Sequence, residues 1–288
     1  MPNLLNENQA KEFAVKKRQW WWPALLLATL IILSSGISVW LSTTPSGLRS
    51  LGSAISHFSA GNLSFEGLDG TLSSSFSMRT IRFASDDLLV IARDVQLNWQ
   101  PGALKEGRLD ITALTAREVE IVASPSTEPK SLPVSLESSF ALSLHKLDIG
   151  TLCVTHEEGG TPDFKATELA AQLESDGRRH RLSNLRAGLE FGGLTASGQI
   201  DGNRPFDLNI QTELTGRAGL GIAGVELPEM PGARISAAIT GNLEQLDIRM
   251  NAIGGADAGL TGGGEALLRP YAPILVAALR LSLHGLDP

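Results

Sequence analysis

The chain has 288 residues, a formal charge of −7 and 5% aromatic residues. An acidic balance of this kind excludes a nucleic-acid binder driven by phosphate neutralisation. The single cysteine, Cys153, excludes an internal disulfide framework and any multi-cysteine metal site.

Residues 1–19 read as a short cytoplasmic segment, with Lys16, Lys17 and Arg18 directly ahead of an uncharged run. That run, Trp20 to Leu41, is roughly 33 Å long as a helix, against a hydrocarbon core of about 30 Å. Trp20, Trp21, Trp22 and Trp40 fall at its ends, where indoles favour the headgroup layer. The basic residues before it, with only Arg49 closely after it, place the N-terminus in the cytoplasm and the bulk outside. A cleaved signal peptide is the alternative, but its apolar region is typically about 7–15 residues. The expectation is therefore a transmembrane helix over 20–41.

Residues 46–58 read as an amphipathic helix, with Leu48, Leu51, Ile55 and Phe58 at three- and four-residue steps. It either caps the first open edge of a sheet or lies on the membrane surface. From 59 to 288 the period becomes two. Leu89, Ile91, Val95, Leu97 and Trp99 alternate with polar residues, with Arg93 as a charged exception in the same phase. Leu109 and Ile111, Val119 and Ile121, and Phe140, Leu142 and Leu144 repeat the pattern, as do Phe206, Leu208 and Ile210. Apolar-in, polar-out alternation marks antiparallel strands with one wet face. Turn signals such as Asp69-Gly70, Asp176-Gly177 and Asp201-Gly202 separate them. Leu-Asp-Ile recurs at 109–111, 147–149 and 246–248, as expected of an elongated sheet grown by stacking. The proline-rich stretch 124–133 reads as a loop or linker between two blocks of strands.

No constellation promises chemistry. Gly219-Leu-Gly221-Ile-Ala-Gly224 matches a dinucleotide fingerprint, but Pro228 and Pro231 follow where a helix would have to start. The five histidines have no metal-ligand spacing, and no serine sits in a nucleophile elbow. Arg178-Arg179-His180-Arg181 is a basic cluster that reads as a solvated hairpin or a contact for an anionic partner. Neither enzyme, nor cofactor, nor metal is expected.

Several local patterns carry a family resemblance. They are the N-terminal run followed by the helix Leu48–Phe58, then Leu68-Asp69-Gly70-Thr71-Leu72, then the strand Val95-Gln-Leu-Asn-Trp99. Gln100-Pro101, Leu104, Gly107, Leu109-Asp-Ile111, Leu114 and Val119-Glu-Ile121 follow in order. This order resembles the N-terminal part of the TamB family, the inner-membrane subunits of the translocation and assembly module of Gram-negative bacteria. The resemblance implies a mostly β protein, a twisted apolar groove in the periplasm behind a single N-terminal transmembrane helix. It also implies phospholipid transport toward the outer membrane, outer-membrane protein assembly, or both. Phospholipid acyl chains, the inner membrane and the barrel protein TamA are the implied partners, with no nucleic acid. Family members are usually far longer, so this chain is expected to be truncated before the TamA-binding end. The fifteen apolar residues from Leu89 to Ile210 named above are the candidate groove lining. A membrane-tethered module with a closed β core is the alternative, because alternation alone does not separate a groove from a core.

Overall fold

The computed structural model describes residues 35–85, 87–123, 132–216, 221–222, 225–226, 232–254, 261–271 and 276–284. The cytoplasmic segment and residues 20–34 of the expected span lie outside them. Residues 35–43 are helical, and no helix among the described residues is long and apolar enough to cross a membrane.

The chain changes direction at Thr44, which is extended (φ −118°, ψ 145°) and caps helix α1 (Pro45–Phe58) by accepting the Gly47 amide on its hydroxyl. Pro45 suits the first turn, where no N–H partner is needed. Gly47 permits the sharp bend: a Cβ there would lie 2.4 Å from the Trp40 carbonyl oxygen. Thus α1 starts one residue before its predicted bound.

Four strands follow: β1 (Leu63–Glu66), β2 (Asp69–Gly70), β3 (Ser75–Ala84) and β4 (Leu88–Gln100). A short 3-10 helix (Pro101–Glu106) turns the chain into β5 (Arg108–Ala123). Next come β6 (Ala141–Thr155), β7 (Phe164–Ser175), β8 (Arg179–Leu189), β9 (Gly192–Asp201) and β10 (Leu208–Gly216). Two-residue strands β11 (Gly221–Ile222) and β12 (Val225–Glu226) precede β13 (Arg234–Asn242), β14 (Gln245–Ile253), β15 (Thr261–Leu268) and β16 (Val276–His284). All except β11 and β12 form one sheet, in the order β1-β3-β4-β5-β6-β7-β8-β9-β10-β13-β14-β15-β16, with β2 beside β3. Among the described residues β1 and β16 do not pair, so the sheet is open.

The architecture is mostly β, as the alternation predicts. One pair departs from the antiparallel expectation: β5 and β6 are parallel. A parallel pair needs a crossover rather than a hairpin, and residues 124–140 supply it. Most of the proline-rich stretch, residues 124–131, lies outside the described residues; the strands on either side of it, β5 and β6, are neighbours in one sheet. The described part of this crossover is strapped across the β7–β8 and β9–β10 turns. The Leu136 amide donates to the Gly202 carbonyl (2.8 Å), and the Ser138 amide donates to that of Gly177 (2.9 Å). Asn203 and Arg204 bond back to Glu137 and the Pro133 carbonyl.

At the opposite edge, α1 packs on β1 and β2. Leu48 is 3% exposed, and Arg49 donates to the Leu68 carbonyl and pairs with Asp69. The helix caps the sheet edge at this face, while Ile55 and Phe58 (88% exposed) point away.

Candidate functional site: a continuous apolar face

Cross-strand partners in a ladder project to the same face of a sheet. One row of partners crosses ten strands: Trp99, Ile111, Leu144, Leu173, Leu182, Gly198, Ile210, Ile239, Ile248 and Ala266. Every member is apolar or glycine. A second row, nearer the other end of the strands, links Phe65, Ile81, Ala92, Val119, Leu152, Ala166, Leu189 and Gly192.

Both rows lie on one face. In β9, Gly198 and Gly192 are six residues apart in an unbroken strand, which is an even step. In β4, Trp99 and Ala92 are seven apart, an odd step, so the alternation must slip once between them. The slip coincides with Asp94, held at φ +51°. The same seven-residue step separates Leu173 from Ala166 in β7, where Glu168 has φ +52°. It also separates Leu182 from Leu189 in β8, where Asn184 has φ +54°. β5 and β6 each span eight residues between the rows and slip twice. One slip in each is a register irregularity, after Ile111 in β5 and between Leu144 and Leu147 in β6. The other lies at Arg117 and Gly150, on the row that also holds Asp94 and Glu168. Gly150 is required there, since a Cβ would meet the Arg117 carbonyl oxygen at 2.6 Å. Such irregularities bend a strand and increase its twist, so strands β4–β8 turn a corner while keeping one face apolar.

This face meets no second sheet of comparable size among the described residues: the other is the pair β11–β12. Its side chains are consequently mostly half-buried, with Val95, Ile111, Leu144 and Leu208 the large aliphatic exceptions. Phe206, in the turn before β10, is the largest side chain below 2% exposure. The reverse face is wet: Gln96, Asn98, Gln199, Asn209, Gln211 and Asn251 are exposed. A depression of about 610 Å³ runs across β8–β14 on this polar side, beside Asn184, Arg186, Gln211 and Arg249. A second depression, of about 620 Å³, lies between α1 and the β1–β2 segment.

Beyond the slip row, the reverse face of β3–β6 is covered locally. Arg93 bridges Glu118 and Glu120, both at 3.2 Å. The Gly159 amide donates to Glu120, and Arg82 makes a two-point contact with Glu158. The β6–β7 turn is thereby latched over Ile91, which is 3% exposed. The Arg82 guanidinium holds the Glu158 carboxyl below the usual carboxylate range. Arg93 is neutralised by this cluster and does not interrupt the apolar face.

Of the predicted lining residues, Val95, Leu97, Trp99, Leu109, Ile111, Val119, Ile121, Leu142, Leu144, Leu208 and Ile210 fall on the apolar face. Leu89 and Ile91 do not. Their partners are Val122 and Glu120, whereas Ile121 and Val119 pair with Val90 and Ala92. The strict period of two carried the reading past Asp94 in the wrong phase. Phe140 is half-exposed just before β6, and Phe206 is a turn residue rather than a strand residue. The prediction also missed Phe65, Ile81, Ala92, Leu114, Leu147 and Leu152. Their signal was present as three-residue apolar steps: Ala92 to Val95, Ile111 to Leu114, Leu144 to Leu147 and Leu182 to Leu185.

The other candidates resolve simply. Arg178 pairs with Glu137 and Arg179 with Asp201, while Arg181 lies opposite Glu174. The basic cluster is thus largely matched within the chain. Amides of Arg178 and Arg179 bond the Asp176 carboxylate and hold its pKa below the usual range. Residues Gly221–Ile222 of the glycine fingerprint sit in the small β11–β12 hairpin; the rest of that motif is outside the described residues.

No curated protein and no solved structure matches the chain. The family model described as TamB, N-terminal domain, matches residues 34–159, which takes in the helices, β1–β6 and the latched turn. Residues 34–159 are accordingly similar to the N-terminal region of the TamB family.

Proposed function

We propose that the sheet is an acyl-chain track in the bacterial envelope, tethered to the inner membrane by the span 20–41 with its bulk in the periplasm. The observation that carries this reading is the row of ten apolar or glycine partners, Trp99 through Ala266, on a face that no second sheet of comparable size covers among the described residues. A lipid tail laid on it gains about 0.8 kcal/mol for each CH₂ removed from water. Arg93, the charge that falls in phase with the strand β4 alternation, pairs with Glu118 and Glu120 on the reverse face and so presents no charge to a sliding tail. Transport of this kind needs no active site, and no catalytic role is proposed. TamA, the partner that the resemblance implies, belongs to the same proposal.

The test is photo-crosslinking in cells with probes at Leu97, Leu142 and Leu208 on the apolar face and at Gln96 and Asn209 on the polar one. Phospholipid adducts at the first three alone are expected. Absence of adducts at all five would favour a purely structural sheet and contradict the proposal.

A further inference from the structure

We propose that the cavity between α1 and the β1–β2 segment is the loading port through which a zwitterionic phospholipid passes from the bilayer onto the apolar face. The inference rests on the acyl-track reading and adds where the track begins. The cavity holds about 620 Å³, within the roughly 300–1,000 Å³ of small-molecule sites. Its lining divides by chemistry. Arg49, Ser53, Ser56 and Asp69 form one part, and Phe65 and Leu68 form the other. A guanidinium and a carboxylate 3.2 Å apart match the phosphate and ammonium of a zwitterionic headgroup. Both charges are well exposed, at 62% and 68%, so a headgroup can reach them.

Phe65 ties the cavity to the track. It opens the second apolar row, pairing with Ile81, which pairs with Ala92. A tail entering past Phe65 therefore meets apolar side chains from the first strand. With the proposed tether at 20–41, the cavity also falls at the membrane-proximal end of the chain. The helix 35–43 carries the last residues of the uncharged run from Trp20, and α1 follows after the bend at Thr44. Gly52 brings α1 close to the strands: a Cβ there would stand 3.0 Å from a Leu68 methyl and 3.8 Å from the Phe65 ring. Larger side chains on this helix face would fill the cavity.

The experiment places photo-probes at Leu97 and Leu142 in the full chain in cells, with Ser53→Trp or Ser56→Trp as plugs and His57→Trp as the control. A separate probe at Leu68 reads the cavity itself. Folding of each variant is checked by its protease-resistance pattern. The proposal expects lipid adducts at Leu68, loss of adducts at Leu97 and Leu142 to background in both plugged variants, and unchanged labelling with His57→Trp. Folded plugs that still label Leu97 and Leu142 overturn the port and leave the track intact. So does equal loss with His57→Trp, because the effect is then not specific to the cavity. If the unplugged chain gives no adducts at Leu97 or Leu142, the track fails and the port fails with it.

Discussion

The two halves of the sheet keep the same face apolar by different means. From β9 to β14 the alternation is unbroken: partners run Gly198, Ile210, Ile239 and Ile248 without a slip. From β4 to β8 every strand slips at least once, and three of the slips use non-glycine residues at positive φ. A one-residue shift normally turns a strand's apolar set to the other face. Here the shifts recur across neighbouring strands, so the face survives and the strands bend instead. The family-matched region holds most of these slips, in β4–β6.

Substitutions can break the comparison, beginning with the largest effect. Leu144→Asp in the bent half places a charge at a residue that is 7% exposed. It should cost about 3–5 kcal/mol, as an uncompensated buried charge does. The same change at half-buried Ile248 should cost clearly less, and urea midpoints compare the two. Next, glycine should act with opposite signs in the two halves. Glu168→Gly relieves a left-handed residue and should stabilise by about 0.5–1 kcal/mol. Gln211→Gly, in the regular half, should destabilise by about the same amount. If both destabilise, Glu168 is not a strained slip point.

A smaller effect sharpens the contrast at the latched turn. The Glu158 pKa is lowered in the folded state, chiefly by the hydrogen bond from Arg82. Its contribution is therefore fully present above the ordinary carboxylate pKa of about 4.3 and is lost as pH falls through the lowered value. Hydrogen exchange at Gly159, corrected for intrinsic rate, should accelerate relative to neutral pH in that acid window. Glu158→Gln should remove the pH dependence at this turn while leaving β13–β14 amides unchanged. Identical acid profiles in both variants would show that the latch does not depend on this carboxylate.

How far each half could be read from sequence follows from the same contrast. In β10, β13 and β14 the period of two is unbroken, and Leu208, Ile210, Ile239 and Ile248 fall where alternation puts them. In β4 the run Leu89, Ile91, Arg93, Val95 looks like one face, but the backbone at Asp94 divides it. Nothing about an aspartate flanked by Arg93 and Val95 announces φ +51°, because its local preference for that conformation is weak. The three-residue steps were visible in the sequence and separable from noise only once several adjacent strands aligned them. The parallel β5–β6 pair was likewise hidden, since a crossover and a linker share the same proline-rich composition. The latch escaped notice because Arg82 and Glu158 are 76 positions apart.

The central claim is that one apolar face continues through the slip row and carries lipid. It is tested most directly by photo-probes at four consecutive positions of β4, Leu89, Val90, Ile91 and Ala92, with Leu97 as reference. The account predicts phospholipid adducts at Val90, Ala92 and Leu97, with none at Leu89 or Ile91. Adducts at Leu89 and Ile91 instead, or at Leu97 with none at Val90 and Ala92, would contradict it.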